Sequence, residues 1–116
     1  MTRKVLAFWL RYAGYDVALC RCDESACMLA RRVRPDLVLL DYDLPNGQGP
    51  RVLAELRAAQ ELGGVPILAL SATGAPLERP DEIALASGWL TKPCDFGALS
   101  LWLVRLLGSP LRGFVG

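Results

Sequence analysis

Three polar side chains stand just beyond apolar runs, and together they could hold a phosphoryl group. Asp41 follows LVLL, Ser71 follows PILAL, and Lys92 follows the short run at 89–91. A carboxylate oxygen is a nucleophile toward phosphorus, while a hydroxyl and an ammonium can contact the phosphoryl oxygens. Three unrelated polar loop starts would read the same way, so the chemistry depends on the three runs being adjacent strands. Histidine is absent, which removes His-based triads, zinc–His sites and phosphohistidine chemistry from this chain. Four cysteines, Cys20, Cys22, Cys27 and Cys94, lack the repeated Cys-x2-Cys spacing of a zinc site. They read as free, partly buried thiols of a reducing compartment.

The elements that must position this trio follow from hydropathy. With 116 residues the chain is the size of one domain, and 53% apolar against 22% charged residues excludes a disordered chain. Net charge is +1, too balanced for a general electrostatic grip on nucleic acid or anionic lipid. Residues 3–13 show apolar groups at helical spacing, closed by Gly14. Residues 16–20 (DVALC) form a strand candidate, and Asp23 can cap a helix to about Val33 with Met28 and Leu29 inward. The run 37–40 suggests a strand buried on both faces. The Pro- and Gly-containing stretch 41–49 is a loop, and Pro50 opens a helix to about Gln60 that Gly63 and Gly64 break. Residues 66–70 form another buried strand, 71–80 a loop, 81–87 a short helix and 89–91 a short strand, and Asp95 caps a last helix to Leu107. Strands alternating with helices predict an α/β fold with a parallel sheet, whose site lies beyond the carboxyl ends of the strands.

The stretches RPDLVLLDYDLPNGQG, VPILALSA and ALASGWLTKP together resemble the receiver domain of two-component response regulators, over nearly the whole chain from Val5 to Leu107. The resemblance implies a flavodoxin-like parallel sheet with helices on both faces. It also implies transfer of a phosphoryl group from a histidine kinase or phosphotransfer protein onto one aspartate. By position, Asp41 resembles the phosphoacceptor, Ser71 the switch hydroxyl, Lys92 the lysine that contacts the phosphoryl oxygens, and Trp89 the aromatic that changes rotamer on activation. Asp43 matches the position whose backbone carbonyl binds Mg²⁺ beside Asp41, and Pro93 the proline whose preceding peptide bond is cis. The domain is expected over residues 1–107, with 108–116 a flexible tail or the start of a linker.

The resemblance departs at one place. Receivers begin with an apolar strand followed by two adjacent acidic residues that share the metal with the acceptor. Here no acidic residue precedes Asp16. The remaining ligands are too few for a cation that prefers six hard oxygens, so weak Mg²⁺ binding and slow or absent phosphorylation are expected. The family's sheet order is 2-1-3-4-5, which makes the missing strand an internal one. The chain therefore reads as an N-terminally truncated or incomplete receiver of about four strands.

The last helix is oily nearly all round. Phe96, Leu99, Leu103 and Leu106 can face the sheet, which leaves Ala98, Leu101, Trp102 and Val104 elsewhere, with Arg105 the only charge. A homodimer or a protein partner is expected on Leu101, Trp102 and Val104; packing against the tail around Leu111 and Phe114 is the alternative. Together with the mean hydropathy of +0.29, these features leave two main functional readings. One is a phosphorelay receiver that switches an interaction face. The other is a phosphorylation-independent pseudo-receiver acting as an interaction or dimerisation module. A flavin or nucleotide binder would want a Gly-rich loop after its first strand, whereas GGVP at 63–66 precedes one. An enzyme in the ordinary sense is not expected. No run approaches the ~20 apolar residues of a membrane span, and the early apolar run is too short for a signal peptide, so a cytoplasmic location with neither nucleic acid nor membrane as partner is expected.

Overall fold

Three of the apolar runs become the strands of a parallel sheet in the computed structural model, which describes residues 3–20, 25–93 and 95–108. These are β1 (Val38–Asp41), β2 (Ile67–Ser71) and β3 (Gly88–Thr91), in the order β1-β2-β3. β1 and β2 are joined through helix α3 (Gln48–Ala58), and β2 and β3 through helix α4 (Pro80–Leu85). A crossover helix in each connection is what parallel pairing requires. The register sets Asp41 against Leu70 and Ser71 against Thr91, so the polar strand ends emerge along one rim.

The central strand β2 is buried at every position, as expected of a strand covered on both faces. Alternation divides its neighbours between two cores. Leu40 and Ile67 meet helices α2 (Ala26–Val33) and α3 through Cys27, Ala30, Leu53 and Leu56. On the other face Leu68 meets α1 (Arg3–Tyr12) and α5 (Phe96–Leu107) through Leu10, Leu99 and Leu103. Trp9 of α1 stacks on Phe96 of α5, with ring centroids 4.6 Å apart.

The caps explain where the helices stop and start. Gly14 ends α1 with φ 101°, as expected of a residue closing a helix. Ser25 caps α2, its hydroxyl accepting from the Met28 N–H at 3.3 Å; the expected cap, Asp23, lies outside the described residues. Asp95 caps α5 by accepting from the Ala98 N–H at 2.6 Å. Helix α3 begins two residues before Pro50 and ends at Ala58, which leaves the proline in the first turn, where its missing N–H costs nothing. That early start needs Gly49, since a Cβ there would lie 2.0 Å from the Tyr42 carbonyl oxygen.

Several expectations are corrected. Residues 16–20 run without ladder pairing, so the described sheet has three strands instead of about four. The run is apolar after Asp16, but a strand also needs a neighbour to exchange hydrogen bonds with. The segment is held by other means: Tyr15 and Val17 pack on the second core, and an Arg11 guanidinium N–H donates to the Val17 carbonyl at 3.1 Å. Met28 is 68% exposed, because α2 turns its small residues Cys27 and Ala30 inward. Trp102 is also turned inward, over Gly88, where an added Cβ would sit 2.4 Å from the indole. Arg105 lies 5.2 Å above its ring. Leu101 and Val104 remain exposed on α5, as expected. Cys22, Cys94 and the tail residues Leu111 and Phe114 lie outside the described residues.

Candidate functional site

The rim beyond the strands gathers the expected trio, with different degrees of engagement. Asp41 ends β1, and its Oδ1 accepts from the Lys92 ammonium at 2.6 Å. The Lys92 N–H extends the ladder to the Ser71 carbonyl at 2.9 Å, and the Lys92–Pro93 bond is cis, as expected. Ser71 is 1% exposed at the end of β2. Its hydroxyl accepts from the Thr73 N–H at 3.3 Å and lies 3.5 Å from the Thr73 hydroxyl. Thus Ser71 shares the rim but is engaged with its own loop.

Asp43 contributes more than a carbonyl position. Its N–H donates to Asp41 Oδ1 at 2.9 Å, which fixes the turn after β1. Its carboxylate crosses to the neighbouring loop, where Oδ2 accepts from the Ala72 N–H at 2.7 Å and lies 3.4 Å from Lys92 Nζ. One ammonium therefore serves two carboxylates. Partial burial works to lower the Lys92 pKa, but the hydrogen bonds and negative charges of Asp41 and Asp43 outweigh it, and the net direction is upward.

Trp89 sits behind the rim, half-buried against the first core. Its indole N–H donates to the Ile83 carbonyl on α4 at 3.2 Å. Its ring meets Tyr42 edge-on, with centroids 4.8 Å apart. The Tyr42 hydroxyl in turn bonds Glu82 on α4. Sequence reasoning passed over Tyr42, Glu82 and Ala72. The available signal was position: Tyr42 follows Asp41 directly and, by strand alternation, must face the opposite way.

A sequence model of the response regulator receiver domain matches residues 1–103. The chain belongs to that family. This receiver domain is 36% identical over 105 residues to a probable transcriptional regulatory protein, TcrX, of Mycobacterium tuberculosis. The match covers 90% of the chain and 44% of that relative, so the chain spans less than half of TcrX's length. Among solved structures it resembles the chemotaxis protein CheY4 of Vibrio cholerae, with a TM-score of 0.79 and 28% identity, covering 90% of this chain and 88% of that one. It also resembles the receiver domain of the sensor histidine kinase PA1611 of Pseudomonas aeruginosa, with a TM-score of 0.71 and 30% identity, covering 92% and 88%. The α/β, flavodoxin-like architecture is therefore that of a receiver, homologous to response regulators of two-component signalling. Receiver domains interact with histidine kinases or phosphotransfer proteins. Among the described residues no helix is long and apolar enough to cross a membrane.

Receiver domains bind Mg²⁺, and the PA1611 receiver structure has a magnesium ion coordinated in its active site cleft. The described residues of this chain do not fit that ion by themselves. No group of three or more His, Cys, Asp or Glu side chains suited to a metal occurs among them. Asp41 Oδ1 and Asp43 Oδ2 already accept from Lys92 and from backbone N–H groups. A cation that wants octahedral oxygen ligands finds two engaged carboxylates instead.

Proposed function

We propose that this receiver accepts a phosphoryl group on Asp41 from the phosphohistidine of a histidine kinase or phosphotransfer protein. The observation that carries the reading is the meeting of three strand ends at one rim, with Lys92 Nζ 2.6 Å from Asp41 Oδ1. An Asp41 oxygen attacks phosphorus and forms a P–O bond. The donor's P–N bond breaks, and its electron pair stays with the imidazole. The product is an acyl phosphate whose oxygens Lys92 can contact without leaving the rim. Ser71 joins them once its hydroxyl turns away from Thr73. Trp89, tied to α4 through Ile83, is placed to pass that change to the helix.

Beyond acceptance and hydrolysis of that group we assign no enzymatic turnover. We assign the interaction face to the outer side of α5, where Leu101 is 74% and Val104 42% exposed, for a second copy or another protein. The scarcity of oxygen ligands at the rim among the described residues supports weak Mg²⁺ binding and slow uptake.

Intact-mass measurement after incubation with acetyl phosphate and Mg²⁺ tests the reading. A gain of one phosphoryl group in the wild type and none in Asp41→Asn is expected. Equal gain in the two chains would remove Asp41 from the role. No gain in a folded wild type would favour an interaction module that works without phosphate.

A further inference from the structure

Two donors at the rim that holds Asp41 are already engaged by an anion. Lys92 Nζ and the Ala72 N–H both face the rim, and both point at Asp43 Oδ2, at 3.4 and 2.7 Å. Asp43 reaches across 29 positions of sequence to make the second contact. Its side chain is 36% exposed, so core packing does not require it to lie there. The same ammonium holds Asp41 at 2.6 Å, which places two carboxylates around one cation.

We propose that the Asp43 carboxylate is an internal stand-in for the phosphoryl oxygens, occupying Lys92 and the Ala72 N–H until phosphorylation of Asp41 displaces it. The proposal rests on Asp41 being the acceptor and adds a regulator of that site. Asp43 is here a positioning residue. While it is bound, it ties the loop after β1 to the loop after β2 and completes the charge around Lys92. An acyl phosphate on Asp41 brings further negative oxygens to the same two donors. Like charges crowded about one cation repel, and the donors can serve only one set fully. Asp43 must then swing outward, which its exposure permits, and the tie between the two loops is released. Its charge therefore slows uptake.

A loop tie without competition would depend on shape and hydrogen bonding, and Asn keeps both. The Asp43→Asn chain retains an oxygen that can accept from Ala72 but has no charge to compete. Competition predicts that Asp43→Asn gains a phosphoryl group from acetyl phosphate about five- to tenfold faster than the wild type, as loss of one nearby like charge implies. An unchanged or slower rate would overturn the proposal. A second measurement does not need Asp41 to be labelled. Inorganic phosphate is titrated into ¹⁵N-labelled protein while the Ala72 amide signal is followed. In Asp43→Asn that signal should move at about five- to tenfold lower phosphate concentration than in the wild type. Identical titrations would sink the proposal even if Asp41 proves to be the acceptor. The predicted difference with no labelling of either chain would show that Asp43 competes with an anion for the two donors, but would overturn its displacement by phosphorylation of Asp41. Asp43→Ser, read in the same two ways, replaces Asp43→Asn if the latter does not fold.

Discussion

The strand β2 and the segment 15–20 both contribute to the second core, yet they are held by different forces. β2 pairs on both sides and every one of its residues is buried. The segment 15–20 has no ladder and contributes only Tyr15 and Val17 to the core, with Leu19 40% exposed. The chemistry follows the paired strands. Asp41, Ser71 and Lys92 are fixed relative to one another by the register of β1, β2 and β3, so the rim owes nothing to the unpaired segment. Ladder bonds set positions to within a hydrogen bond's tolerance, whereas side-chain packing alone sets them more loosely.

The largest test of that contrast is a pair of truncations. Leu68 is 0% exposed between α1 and α5. Leu68→Ala should cost about 2–5 kcal/mol, the range for emptying a closed core position. Val17→Ala, on the unpaired segment, should cost about 1 kcal/mol, in proportion to the little surface it buries. Urea unfolding followed by circular dichroism measures both. Comparable losses would show that the segment is as much part of the cooperative unit as β2. Hydrogen exchange sharpens the same point: the amides of 68–70 should open only with global unfolding, and those of 17–19 by local opening.

A smaller effect is expected on the other face, where Arg57 ties α3 to the ends of β2 and α4. Its guanidinium donates to the carbonyls of Leu85 at 2.6 Å, Val65 at 2.7 Å and Gly63 at 3.3 Å, and to the Ser87 hydroxyl at 3.1 Å. Burial lowers its pKa, but an arginine stays charged through the neutral range. Arg57→Met keeps the stem and removes the donors, leaving partly buried carbonyls unmatched at a cost of about 1–3 kcal/mol. An unchanged urea midpoint would mean that water replaces the guanidinium freely and that the α3–α4 side is looser than its contacts indicate.

Much of this is legible in the sequence. Apolar runs ending in Asp, Ser and Lys located the three strands and the rim, because strand polarity places the first polar residue at the carboxyl end. Caps at Gly14 and Asp95 followed from local chemistry. What failed needed a partner distant in sequence. The residues DVALC have a strand's apolar character, but a short apolar run cannot show which segment it pairs with. Trp102 sits inward only because Gly88 leaves a hollow for it, and a helical wheel of α5 does not contain Gly88. Met28 looked like core from its hydropathy, yet the close approach of α2 to α3 favours the smaller Cys27 and Ala30. Asp43 was legible as a loop residue beside Asp41, but its carboxylate's partner, Ala72, belongs to another loop.

The smallest expected effect is electrostatic and concerns the rim itself. The Lys92 pKa lies above its ordinary value: partial burial pulls it down, and Asp41 and Asp43 push it up further. The folded chain therefore holds the Lys92 proton more tightly than the unfolded one. The resulting stabilisation is complete below the ordinary lysine value of about 10.4 and disappears as pH rises through the folded-state value above it. Tyr15, whose pKa burial also raises, loses stability in the same alkaline direction, so the wild-type curve alone does not isolate Lys92. The difference between wild type and Lys92→Met does, because Tyr15 is common to both. With side chains about one-third exposed on each side of the Asp41 pair, the difference at neutral pH should be about 1 kcal/mol or less. It should shrink toward zero as pH climbs beyond the lysine range. If it stays constant to the highest pH at which the wild type folds, the contribution of Lys92 is packing of its stem, and the ion pairs at the rim serve the chemistry without stabilising the fold.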